Sequence, residues 1–176
     1  MVASQRVTTV VEVESPPSSM ATDTNTLDTL STNAAVIKGL EVLLADSYQL
    51  MAQTHLAHWN VEGTDFFQLH TVFQSQYEEL FEAIDEIAER LRAMDAFAPG
   101  GLKRLARLTD IEESSDAVPA KDFVASLLVA HELLISNAFE TRRAAAEAGD
   151  AETEDMVIGR IKEHQKTTWM LKSFLK

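Results

Sequence analysis

Four stretches of the chain repeat apolar residues at helical spacing, and the segments between them determine how the helices connect. From about residue 25 to 60, Ile37, Leu40, Leu44, Met51 and His58 recur on one face and predict a first long helix, which Gly39 weakens only slightly. A turn through Glu62, Gly63 and Thr64 follows, with Thr64 suited to cap the next helix. That second helix, over about 64–95, carries the stripe His70, Phe73, Tyr77, Leu80, Ile84, Ile87 and Leu91. Pro99, Gly100 and Gly101 then interrupt the pattern until Pro119, with room for one short helix around 102–108. A third long helix, about 119–148, starts at Pro119, a residue suited to a first turn, and has Val124, Leu128, His131, Ile135 and Ala138 as its face. Gly149 and Asp150 supply a stop and a fresh cap. The last helix, about 151–174, repeats Val157, Ile161, His164, Thr168 and Leu171, with Leu175 just beyond its end.

Connection lengths fix the topology. Short turns make the first and second helices antiparallel neighbours, and likewise the third and fourth. The segment between the two pairs runs to about 24 residues, beyond the usual 2–8 of a bundle loop. It is long enough to travel back along the bundle, which predicts an all-α four-helix bundle with one long crossover carrying a short extra helix. Residues 1–22, rich in Ser, Thr and Val and containing Pro16 and Pro17, show no helical period and read as a flexible tail. Residues 23–176 then form a single domain.

Composition narrows the function. A chain of 176 residues with 45% hydrophobic content can bury a sizeable core. The absence of cysteine excludes disulfides, Cys-zinc sites and thiol catalysis, and agrees with a reducing cytoplasm. No basic segment followed by an apolar run opens the chain, so no signal peptide is expected. No run approaches the roughly 18 apolar residues of a membrane span. The net charge of −13 argues against broad contact with nucleic acid or anionic lipid and suits a protein that attracts cations.

Candidate chemistry centres on His58 and His70, set against Asp85 and Glu89. The two carboxylates lie four residues apart on one helix face. Two imidazoles and two carboxylates suit an iron or zinc site. His70 and Asp85, however, stand fifteen positions apart on one helix, roughly 22 Å at 1.5 Å per residue. Either these are two unrelated sites, or two subunits meet and each supplies half. Plainer roles exist for each: a core histidine held by hydrogen bonds, and an acidic flank with Glu78 and Glu82, helped by a Glu86–Arg90 pair. No Glu stands three residues before any of the five histidines, so the Glu-x-x-His pattern of a di-iron site buried inside one bundle is missing.

The stretch His58-Trp59-Asn60-Val61-Glu62-Gly63, then Leu69-His70, then Asp85-Glu86-Ile87-Ala88-Glu89-Arg90 resembles the signature of the Dps family of mini-ferritins. The resemblance continues through the helix pattern to Glu163-His164-Gln165-Lys166-Thr167-Thr168-Trp169-Met170-Leu171 and covers about residues 25–175. It implies a ferritin-like bundle assembled as a dodecameric hollow shell, cytoplasmic or nucleoid-associated, with ferroxidase sites at twofold dimer interfaces. Carried onto this chain, His58 and His70 come from one subunit and Asp85 and Glu89 from its partner. The implied activity is oxidation of ferrous iron, with hydrogen peroxide favoured as oxidant, followed by storage of ferric mineral and protection against oxidative stress. Four residues after His70 the family usually has a carboxylate. This chain has Gln74, a poorer iron ligand, so a two-metal site is expected to have a weakened second position. Trp59 either packs over the site or is an ordinary buried aromatic.

The acidic turn holding Glu147, Asp150, Glu152, Glu154 and Asp155 offers Asp150 and Asp155 as candidates for a cation-drawing pore, or as helix caps and solvated charge. The rival function is DNA compaction with little or no ferroxidase activity, which in such proteins rests on a basic tail. Here residues 1–22 hold one Arg, and Lys162, Lys166, Lys172 and Lys176 are spread around the last helix. Twelve copies at −13 would carry about −156, strongly repulsive toward DNA.

Overall fold

A computed structural model describes residues 24–114 and 118–176, with side chains from residue 32 onward. The tail predicted over residues 1–22 lies outside the described residues. The elements are α1 (Thr24–Asn60), α2 (Phe66–Ala93), the short α3 (Leu102–Leu105), α4 (Ala120–Ala148) and α5 (Ala151–Phe174). The predicted bundle is present, with every long helix within two residues of its expected ends.

Pairs of contacting residues give the helix directions. His58 meets His70 and His55 meets Tyr77, so α1 and α2 run antiparallel. Asp46 meets Asn137 while Gly39 meets Thr141, so α1 and α4 also oppose each other. His131 reaches His164 and Arg142 reaches Glu154 across α4 and α5. The helices α2 and α4 therefore run in the same direction, and only a crossover can join them. That segment lies along α1 and is fastened there by side chains. The Thr109 hydroxyl donates to Asp46 Oδ1 at 2.7 Å, the Ser114 hydroxyl donates to Gln53 Oε1 at 2.7 Å, and the Gln53 amide donates to the Glu112 carbonyl.

The core draws on all four long helices, with Leu40, Leu44, Phe73, Leu80, Ile87, Phe123, Leu127, Leu134 and Val157 almost fully enclosed. On α4 the stripe differs from the predicted one. Leu127 and Leu134 are buried, while Leu128 and Ile135 sit half-buried on the flank. The helix packs against both α1 and α5, so its apolar face is broader than one line of residues. Among the described helices α4 alone is long and apolar enough to cross a membrane, and in this fold it spends that apolar face on the core. Thr64 does not cap α2. The helix begins at Phe66 with Asp65 in the N-cap position, and the Thr64 hydroxyl turns to Asp65 instead. The predicted cap on α5 is present, with Asp150 accepting from the Thr153 amide at 3.0 Å.

α2 and α5 are held apart more than the other neighbours and are bridged by arginines. Arg90 donates to Asp150 and to Thr153, each at 2.7 Å, and Arg160 pairs with Glu79. The expected Glu86–Arg90 pair is absent, because Arg90 turns into this half-buried seam while Glu86 stays on the exposed face. A half-buried carboxylate already held by Thr153 outcompetes an exposed partner along the same helix.

Candidate metal centre

The end of α1 and the start of α2 press His58 and His70 face to face, with ring centroids 3.7 Å apart and planes 19° from parallel. Each ring donates from Nδ1 to the other's main-chain carbonyl, both at 2.8 Å. The His58 carbonyl lies in the last turn of α1, where helix carbonyls run out of partners; His70 supplies one. This reciprocal arrangement has a chemical consequence. With Nδ1 protonated and engaged, a neutral imidazole carries its free lone pair on Nε2, the form in which histidine binds metal and is oriented by its other nitrogen. Neither Nε2 has a hydrogen-bond partner among the described residues. His58 is buried and His70 half-buried, so the pair stands at the edge of the bundle.

Phe66 stacks on His70 at 5.0 Å, and Tyr77, His55 and Trp59 continue the cluster on the His58 side. Tyr77, two turns beyond His70, meets His58 edge-on and lies 4.0 Å from the His55 ring. His55 also stacks on Trp59 at 5.1 Å with planes only 4° apart. Trp59 is 67% exposed, so it is not a buried aromatic, and in this chain it covers His55. Burial, followed by the charge on His58, holds the His55 imidazole below its ordinary pKa. Sequence reasoning passed over His55. Its position one turn before His58, on the same side of α1, was the available signal.

Asp85 and Glu89 are exposed and free of ion pairs among the described residues. Within one chain they do not meet the histidines, and no group of three or more His, Asp or Glu converges among the described residues. Gln74 is also exposed, and its amide donates to Glu78 at 2.8 Å. Phe67, Gln74, Glu78, Phe81, Asp85 and Glu89 share one outward face of α2, and Phe67 and Phe81 expose 79% and 63% of their surface there. Of the two pore candidates at the α4–α5 turn, Asp150 is committed to structure. Burial alone would raise its pKa, but hydrogen bonds from Thr153 and Arg90 outweigh that and hold the carboxyl below its ordinary value. Asp155 stands exposed.

Residues 37–176 match the ferritin-like domain family. Over 142 residues the chain is 39% identical to an uncharacterized low temperature-induced protein of Nostoc sp., covering 80% of this chain and 79% of that one. It is 32% identical over 143 residues to DNA protection during starvation protein 2 of Bacillus anthracis, 81% of this chain and 98% of that one. The crystal structure of a Dps protein from Vibrio cholerae, described as a member of a broad superfamily of ferritin-like diiron-carboxylate proteins, superposes with a TM-score of 0.80 at 29% identity, over 91% of this chain and all of that one. The chain belongs to the ferritin-like superfamily and, within it, to the Dps family.

Proposed function

We propose that this protein oxidises ferrous iron at sites shared between two subunits and stores the ferric product inside a homo-oligomeric shell, the family's dodecamer. The observation that carries the reading is the reciprocal hydrogen bonding of His58 and His70, which leaves both Nε2 lone pairs free for a cation. The outward face of α2 supports the second half. Phe67 and Phe81 are large apolar groups exposed beside Asp85 and Glu89, a pattern that favours burial against another copy. Two α2 helices packed antiparallel across a twofold axis near Tyr77 and Glu78 would bring His70 of one copy toward Asp85 of the other.

In this reading Nε2 of His58 and of His70 hold ferrous iron from one side, and the Asp85 and Glu89 carboxylates hold it from the partner's side. The carboxylates favour the ferric product because they offset its additional charge. Each ferrous ion gives up one electron. Two ions together reduce one hydrogen peroxide, with two protons, to two waters, so no one-electron radical is released. Gln74 offers a neutral amide already engaged by Glu78, which leaves the second metal position weaker than the first. Asp155, rather than the ion-paired Asp150, is the stronger candidate for drawing cations in.

DNA compaction is the less supported role. At α5, Lys166 pairs with Glu163 and Lys172 with Glu132, so among the described residues Lys162 and Lys176 are the unpaired lysines left there for phosphates. The deciding experiment adds ferrous iron anaerobically and then peroxide, following ferric absorbance. Wild type should oxidise rapidly, and the double variant Asp85→Ala/Glu89→Ala should not, while keeping its assembly. Unchanged kinetics in that variant would overturn the site. A band shift of DNA at low salt would revive the other role.

A further inference from the structure

Every buried side-chain nitrogen or oxygen without a hydrogen-bond partner among the described residues belongs to one of three residues: Gln76 through both amide atoms, His131 through Nε2 and Arg160 through Nε. All three are more than nine-tenths buried. They come from α2, α4 and α5; Gln76 and His131 line one cleft, and Arg160 joins His131 through His164. The cleft, of about 220 Å³, is lined by the buried Gln76 and His131 and by the exposed Ser75, Glu79, Glu163 and Lys166. The seam plays no part in the candidate metal centre.

Proton positions in the seam follow from one donor. Arg160 can only donate, so His164 Nε2, 3.1 Å from its Nη2, must accept. A neutral His164 then holds its proton on Nδ1 and donates it to His131 Nδ1 at 2.9 Å. His131 in turn carries its proton on Nε2, the atom with no partner. Burial, and after it the positive charge of Arg160, keep His131 neutral, its pKa lowered to about 3. The unmet groups are thus three donors (His131 Nε2–H, Arg160 Nε–H and the Gln76 amide NH2) and one acceptor, Gln76 Oε1.

This pattern selects the ligand. A metal ion needs a lone pair where His131 presents a hydrogen. An anion would need surplus positive charge, but Arg160 and Lys166 are balanced by Glu79 and Glu163. A small neutral molecule that both donates and accepts suits His131 Nε2–H and both ends of the Gln76 amide, and the cleft holds several molecules at about 30 Å³ each. We propose that the α2–α4–α5 cleft is a binding site for ordered water, which bridges Gln76 and His131 on the polar seam beside the apolar core. The bound water extends the Glu79–Arg160–His164–His131 chain of hydrogen bonds to Gln76.

The sign of a stability change tests this. In the assembled protein, Gln76→Leu removes two polar atoms that are satisfied if water is bound and orphaned if the seam is dry. Bound water predicts that the variant melts about 2–4 °C below wild type, whereas a dry seam predicts a rise. Two measurements on the wild type stand independently of how the variant folds. A crystal structure should show ordered solvent within hydrogen-bond distance of His131 Nε2, and nitrogen-15 spectra should show the Nδ1–H form of His164 with the Nε2–H form of His131. Xenon entering the cleft under pressure, or soaked zinc bound through His131 Nε2, would overturn the proposal.

Discussion

The molecule contains two histidine pairs, and they use the same side chain in opposite ways. His58 and His70 sit beside the turn that closes the α1–α2 hairpin, anchor their Nδ1 atoms on main-chain carbonyls and leave Nε2 unengaged. His131 and His164 sit inside the bundle, are hydrogen-bonded to each other, and one of them also accepts from Arg160. The outer pair keeps lone pairs available because the backbone, rather than another side chain, absorbs its protons. In the inner pair the one lone pair beyond the His–His bond is consumed by Arg160, and what remains is a hydrogen. Proximity of two imidazoles therefore says little about metal binding, and the partner of the other nitrogen decides it.

The largest expected effect separates the pairs by function. Replacing both outer residues, His58→Ala with His70→Ala, should slow peroxide-driven ferrous oxidation by at least about a hundredfold, the scale on which removing metal ligands and their supports acts. Assembly, read by native mass spectrometry, should survive. His164→Leu should do the reverse: oxidation per assembled shell stays close to wild type, while denaturant unfolding shows a loss of about 3 kcal/mol because Arg160 and His131 lose a buried partner. If His164→Leu removed oxidation while leaving stability intact, the division of labour drawn here would fail.

Acidification sharpens the same contrast. An unfolded histidine titrates near 6.5, whereas folded His131 is lowered to about 3 and His164 well below its ordinary value, both chiefly by burial. Below pH 6.5 the unfolded chain takes up protons that the folded chain refuses. Stability contributed by the pair is thus full above that pH and is lost as pH falls toward the folded values. Each of the two should contribute a slope approaching about 1.4 kcal/mol per pH unit. Unfolding measured between pH 6.5 and about 5, above the range where ordinary carboxylates titrate, should flatten in His164→Leu.

Two smaller effects concern the surroundings of the pairs. The chain has no cysteine, so Glu78→Cys gives a single reactive site near the proposed twofold axis. A short bis-maleimide should then join two chains, and failure to cross-link an assembled shell would move the axis elsewhere. Asp150→Asn should cost about 1 kcal/mol through the α5 cap and the bond to Arg90, read as a shift in the denaturation midpoint.

Much of the fold was legible because helix periodicity and connection length are local properties. The crossover followed from counting residues between Pro99 and Pro119, and Asp150 declared itself as a cap by following Gly149. His58, His70, Asp85 and Glu89 stood out as candidates by residue type, and only the family resemblance implied that they act together. What one sequence could not reveal was pairing between helices. Arg90 was assigned to Glu86 by helix spacing, yet it faces Asp150 sixty residues away. Nothing in the sequence sets Gln76 apart from the other polar positions of α2, and only the approach of α4 and α5 shows that it is buried. Leu127 and Leu134 were passed over for Leu128 and Ile135 because a helix packed on two sides buries more than one stripe.

Gly39 gives the architecture a mechanical side. A methyl group there would lie 2.7 Å from the Thr141 hydroxyl, which is itself held on the Asn137 carbonyl, so α1 would have to tilt away from α4. His58 rides on the same rod, nineteen residues further on, a lever arm of roughly 28 Å. Over that length a tilt of about one degree displaces the imidazole by about 0.5 Å, comparable with the tolerance of a metal-ligand constellation. A single glycine in α1 thus sets the alignment of the candidate centre it never touches.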